Sequence, residues 1–209
     1  MKLMIIIIVL DLFLIKKIDY KYNIYKSYIM FYPNTKEELQ EAVDLWCENQ
    51  DLALEKYGVI NTWDVSKISD MSRLFFNKYK YNSDISNWNV SNVKDMEHMF
   101  SEAHLFNSDI SNWNVSNVKD MNFMFEEAGT FNQPIENWDV SNVVDMECMF
   151  SGAHLFNSDI SNWNVSNVKY MMGMLEQTEN FNQFIGDWNV SNVVDMSSMF
   201  YGAKLFNSD

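Results

Sequence analysis

Carboxylates stand at fixed intervals along this chain. Asp70, Asp95, Asp120, Asp145 and Asp195 share one repeat position, and Asp84, Asp109 and Asp159 share another. Aligned carboxylates are the ligands a calcium ion takes, because a hard cation needs several oxygens. The glycine-rich nonapeptide of calcium-binding solenoids is absent, and only six Gly occur in all, so we read no calcium site. Asp at such a position instead suits the start of a helix. Methionines recur in the same way, Met71, Met96, Met121, Met146, Met171 and Met196 at one position and Met99, Met124, Met149 and Met199 at another, with Met174 alongside. A thioether ladder could hold copper(I), but these residues fall on one stripe with Phe and Ala, where Met fills irregular core space. His104 and His154 are equivalent positions two units apart, about 10 Å at strand spacing and too far for an easy shared zinc, and His98 falls on another face. Cys47 and Cys148 give neither zinc spacing nor a disulfide framework and read as small buried hydrophobes. No metal and no cofactor is therefore expected. There is no unique Ser-His-Asp or Cys-His arrangement that the repeat does not explain, and no phosphate-binding Gly loop. We expect no enzyme.

The elements that would position these residues are repeated. NSDISNWNVSNVK fills residues 82–94, 107–119 and 157–169 letter for letter, and Trp63, Trp88, Trp113, Trp138, Trp163 and Trp188 lie 25 residues apart each time. In ISNWNV the Trp-x-Val alternation predicts a short strand with one buried face. Val93, Met96, Met99, Phe100, Ala103 and Phe106 follow at steps of three and four, which predicts a helical stripe capped by Ser91 or Asn92. One strand-turn-helix unit cannot hide its apolar side alone, whereas stacked units share a continuous core. Asn82, Asn107, Asn132, Asn157, Asn182 and Asn207 recur after the aromatic. We read them as a buried structural ladder that satisfies turn backbone groups. The least regular units are the first, with RLFFNKYKYNSD, and the fifth, where Tyr170 replaces Asp and Phe184 replaces Asp or Pro.

FNQPIENWDVSNVVDMECMF, residues 131–150, resembles the repeat of BspA-like leucine-rich-repeat surface proteins and the related mycoplasma lipoprotein repeat family. The resemblance runs from Ile60 onward, and residues 35–66 are similar to the helical lead-in that precedes such arrays. It implies an α/β fold, a right-handed leucine-rich-repeat-like solenoid of 25-residue strand-turn-helix units with an N-terminal helical cap. It also implies adhesion or protein binding, a cell-surface or secreted location, and no catalytic residues. The lipobox Cys of bacterial lipoprotein members is missing. The lead-in makes sense on its own terms: Thr35 and Glu38 form a capping box, Leu39, Ala42, Val43 and Trp46 an apolar stripe, and Gly58 a helix stop.

The expected organisation is an apolar segment over 1–29, a helical cap over 30–59 and about six units over 60–209. The first segment, MKLMIIIIVLDLFLIKK onward, reads as a signal or anchor, or as an untranslated leader with the start at Met30 and a cytoplasmic product. The last letters, LFNSD, stop mid-unit. With Trp and Val facing inward, two columns face solvent. One is Asn87, Asn112, Asn137, Asn162 and Asp187; the other is Asn89, Asn114, Asp139, Asn164 and Asn189, beginning with Asp64 in the first unit. Ser66, Ser91, Ser116, Ser141, Ser166 and Ser191 either point out with them or turn into the bend. This flat polar strip is expected to bind a protein or other macromolecule; the alternative is a purely structural or degenerate array without a dedicated ligand. Asn89, Asn114, Asn164 and Asn189 also spell Asn-Val-Ser sequons, and glycans there would block the strip. A net charge of -14 argues against nucleic acid as partner, and a membrane enters only if residues 1–29 anchor the chain.

Overall fold

The computed structural model describes residues 29–207. The leader or anchor expected over 1–29 therefore lies, up to residue 28, outside the described residues. Among those described, no helix is long and apolar enough to cross a membrane.

Two helices lead in. α1, Lys36–Glu48, starts at Thr35, whose hydroxyl accepts the Glu38 N–H at 3.3 Å, while the Glu38 carboxylate accepts from Asn34 N–H at 2.7 Å. The reciprocal bond of the capping box thus reaches one residue further back. Leu39, Ala42, Val43 and Trp46 form its buried face, as their spacing predicts. The lead-in is divided at Asn49: its side chain accepts the Leu52 N–H and caps a second helix, α2, Gln50–Tyr57. α2 ends at Gly58, whose φ of 73° an L side chain adopts only under strain. A 3₁₀ turn, Ile60–Thr62, delivers the chain to Trp63.

From Trp63 onward the expected strand-turn-helix solenoid does not form. Among the described residues neither a named strand nor a helix occurs beyond Thr62. Each 25-residue unit is a rung of successive β-turns. In the rung that begins at Trp88, amide-to-carbonyl bonds three residues apart close Val90 to Val93, Met96 to Met99, Phe100 to Ala103 and Ala103 to Phe106, and Ile110 to Trp113 opens the next. Every one of these turns begins and ends on a buried apolar residue. The three-residue steps that suggest a helix are thus the closing residues of turns, with polar residues and the exposed Leu105 at the corners.

The strand is lost for a related reason. The N–H groups of Met96, His98, Phe100 and Glu102 donate forward to the carbonyls of Asp120, Asn122, Met124 and Glu126 in the next rung. The carbonyls of Met96, His98 and Phe100 are meanwhile taken by in-rung turns, from Met99, Ser101 and Ala103. A β-ladder needs those carbonyls, so parallel pairing lasts one residue per rung: Asp70, Asp95, Asp120, Asp145, Tyr170 and Asp195 form a chain of isolated bridges.

Between rungs, like residues stack. Phe75, Phe100, Phe125 and Phe150 follow one another at 5.2, 5.6 and 5.6 Å between ring centres, nearly parallel. Tyr81, Phe106, Phe131, Phe156, Phe181 and Phe206 form a second column. The six repeat tryptophans are all buried, and from Trp88 onward each indole N–H donates to the Ile carbonyl 28 residues earlier, as Trp113 does to Ile85 at 3.2 Å. Met71, Met96, Met121, Met146 and Met171 are fully buried in the same core, as is the Met99 set through Met174; toward the last rung Met196 is exposed. The helices cover the first rung: Trp46 and Tyr57 each meet the Trp63 ring edge-on at 5.9 Å, and the Gln40 amide donates to Leu74 O at 3.1 Å, the carbonyl position that later rungs satisfy from the rung before.

Candidate functional site

Both predicted columns are exposed, and the structure separates their roles. Asn89, Asn114, Asp139, Asn164 and Asn189 each turn a side-chain oxygen back onto the N–H of the Ser two residues on, at 3.1–3.2 Å. This short polar turn fixes the bend. The Ser column thus belongs to the bend, and Ser66, Ser91, Ser116, Ser141 and Ser166 offer their carbonyls to Asn92, Asn117, Asn142, Asn167 and Asn192 of the following rung at 2.7–2.8 Å. The four sequon Asn are exposed, with this oxygen engaged.

Asn87, Asn112, Asn137, Asn162 and Asp187 differ. They are the second corner residues of the turns that end at each Trp, they are exposed, and their side chains make no hydrogen bond among the described residues. Five free amide or carboxylate groups, one per rung, are the part of the strip whose bonding capacity is unspent.

The other spaced residues have local duties. The oxygens of Asp70, Asp95, Asp120, Asp145 and Asp195 accept the N–H two residues on at 2.8–3.0 Å, and Asp84, Asp109 and Asp159 do the same at 2.9 Å. They cap turns, since there is no helix start for them to favour. Burial pushes the Asp120 carboxyl up to about 6, with the Asp145 and Asp95 charges adding to it against the Asn122 N–H. Burial also raises Asp145, in part against the Glu147 N–H. Among the described residues no group of three or more His, Cys, Asp or Glu converges as a metal site. His104 Nδ1 lies 2.7 Å from Glu127 O and His154 Nδ1 3.1 Å from Gln177 O, so both staple neighbouring rungs. The Asn ladder forms: each Asn oxygen from Asn82 to Asn182 accepts the N–H of its successor at 2.8–2.9 Å. It runs along the surface, however, not through the core. Neither cysteine is a fully buried hydrophobe; Cys47 is exposed and Cys148 half-buried.

Sequence reasoning passes over one feature, a cleft of about 440 Å³ between the end of α1 and the first rung. Trp46, Cys47 and Glu48 form one wall and Lys78, Tyr79, Lys80 and Tyr81 another. Although Cys47 is exposed as a residue, desolvation pushes its thiol up to about 11, so it is protonated at neutral pH. The signal in the sequence is the irregular RLFFNKYKYNSD itself.

Stacked 25-residue turn rungs behind a two-helix lead-in define a repeat protein whose exposed face is a set of side-chain columns. The chain belongs to the family described as "Mycoplasma protein of unknown function, DUF285", whose model matches residues 48–153 and again 133–209. No curated protein and no solved structure matches it.

Proposed function

We propose that this chain is a non-enzymatic repeat scaffold that binds another protein, in an interaction or adhesion role, through its polar strip. The observation that carries the reading is the free column Asn87, Asn112, Asn137, Asn162 and Asp187. An oxygen that holds a turn is spent on it, whereas these corner side chains are exposed and uncommitted. The Asn89, Asn114, Asp139, Asn164 and Asn189 column flanks it as a fixed rim, in which the four Asn still have amide N–H groups to offer. A flat polar face of this kind suits a macromolecular partner better than a small molecule, which needs concavity. The resemblance to BspA-like surface proteins supports adhesion as the setting.

The test is a triple variant, Asn112→Arg, Asn137→Arg and Asn162→Arg, compared with wild type on a protein array. All three sites are exposed, so the melting temperature should stay within a degree or two. Partners held by the wild type should bind at least tenfold more weakly to the variant. An unchanged binding profile in a folded variant would refute the strip, and substrate turnover dependent on one residue would refute the non-enzymatic reading.

A further inference from the structure

In a strict repeat, departures from the pattern mark where something else is being done. The position filled by Ala103, Ala128 and Ala153 is Lys78 in the first rung, and the position filled by Phe106, Phe131, Phe156, Phe181 and Phe206 is Tyr81. Between them stand Tyr79 and Lys80, and all four line the cleft against α1. Packing against the helix explains part of this. Lys78 Nζ lies 2.7 Å from Asp44 Oδ1, and the Trp46 indole N–H donates to Ser83 Oγ at 2.9 Å.

The remainder has no internal explanation. Tyr81 is 6% exposed, and its hydroxyl is buried without a hydrogen-bond partner among the described residues. Such a group costs about 1–3 kcal/mol unless something satisfies it, and phenylalanine at this position avoids that cost in the following rungs. Lys80 has no carboxylate partner among the described residues; its Nζ sits 5.6 Å from the centre of the Tyr79 ring, which is itself 53% exposed. In a chain of net charge -14, one cleft thus holds a lysine without a counter-ion and a buried hydroxyl without an acceptor among the described residues.

We propose that this cleft is a binding site for a carboxylate-bearing ligand, a small organic acid or the C-terminal end of a peptide. The carboxylate would accept from the Tyr81 hydroxyl and pair with Lys80, while the Tyr79 ring covers the adjoining carbon chain. Glu48 and Gln50, on the opposite wall, would take an amide N–H of a peptidic ligand. A volume of about 440 Å³ is of the size that small-molecule sites occupy. The site is independent of the polar strip.

Calorimetric titration of the full chain with succinate, with N-acetyl-dialanine and with its C-terminal amide tests the assignment. One or both free acids should bind, succinate marking a small-acid source and the dipeptide alone a peptide end, and the amide should bind at least tenfold more weakly. Tyr81→Phe restores the residue of the later rungs, so it should keep or raise the melting temperature while weakening the acid at least tenfold. Lys80→Gln should weaken it too. Equal binding of acid and amide, binding by Tyr81→Phe as tight as wild type, or no heat from either acid would each overturn the proposal.

Discussion

At two positions in every rung the backbone adopts a left-handed φ, between 50° and 75°. One is Arg73, His98, Phe123, Cys148, Gly173 and Ser198, and the other is Asn77, Glu102, Glu127, Gly152, Gln177 and Gly202. Only three of these twelve residues are glycine, so most rungs carry backbone strain of about 1–2 kcal/mol at each such site. The forward row of N–H donors holds it in place. Gly152→Ala should therefore destabilise by about 1 kcal/mol; a Cβ there also meets the flexible tip of Glu127 at 2.6 Å. Glu102→Gly, at the equivalent position, should stabilise by about 0.5 kcal/mol, since relieved strain exceeds the added chain entropy. Chemical denaturation of the two variants gives both signs, and matching signs would contradict the strain argument.

The rung and the helix are the elements, and indole bonding couples one rung to the next. Trp138 donates to the buried Ile110 carbonyl at 3.2 Å, whereas Trp63, equally buried, follows the helices and not a rung, and its indole N–H has no partner among the described residues. Trp138→Phe should cost about 2–3 kcal/mol, lost volume plus a lost buried hydrogen bond, the Ile110 carbonyl keeping the Trp113 N–H at 3.1 Å, and Trp63→Phe about 1 kcal/mol less. Equal losses in thermal unfolding would show that the bond contributes nothing. The inward set was legible in sequence because burial depends on residue type and spacing alone: Trp113, Val115, Val118, Met121, Met124 and Phe125 are buried as read. The conformation carrying them was not. Consecutive turns and a helix both return apolar residues at steps of about three, and the left-handed sites that distinguish them are occupied by Arg, His, Phe and Glu, which do not announce a turn. The same holds for the strip. Exposure of Asn112 and Asn114 followed from alternation, but which of the two is free depends on the bend at Ser116. The cleft needed the helix and first rung placed together, and its residues are far apart in the chain.

Over the whole molecule, charge sets the dependence on pH. Asp120, raised to about 6 in the folded state, binds its proton more tightly there than in the unfolded chain. Its contribution is present in full below about pH 4 and is lost as pH rises through 6. Asp64, Asp109, Asp139 and Asp159, held low by bonds from Ser66, Ser111, Ser141 and Ser161, act oppositely and lose their contribution below about pH 4. Stability should thus be greatest between about pH 4 and 5, where neither loss is complete. Asp120→Asn keeps an oxygen for the Asn122 N–H and should raise stability at pH 7.5 by about 1 kcal/mol, after allowance for solvent screening, with little change at pH 4. Melting curves at the two pH values decide it, and a variant as pH-sensitive as the wild type would place the effect in the net charge of -14 instead.

The direction of the cross-rung bonds has a consequence for assembly. Along the flank from Met96 to Glu102 donors look toward the following rung, while Lys119, Trp113 and Asn117 reach back to Lys94, Ile85 and Ser91. Each interface is therefore keyed like a two-pin plug: a rung turned upside down sets donor against donor and is refused. The key checks orientation but is blind to identity, and residues 82–94, 107–119 and 157–169 are the same key cut three times. Slippage by whole coils, and trading of equal coils between molecules, are the errors this architecture leaves unguarded.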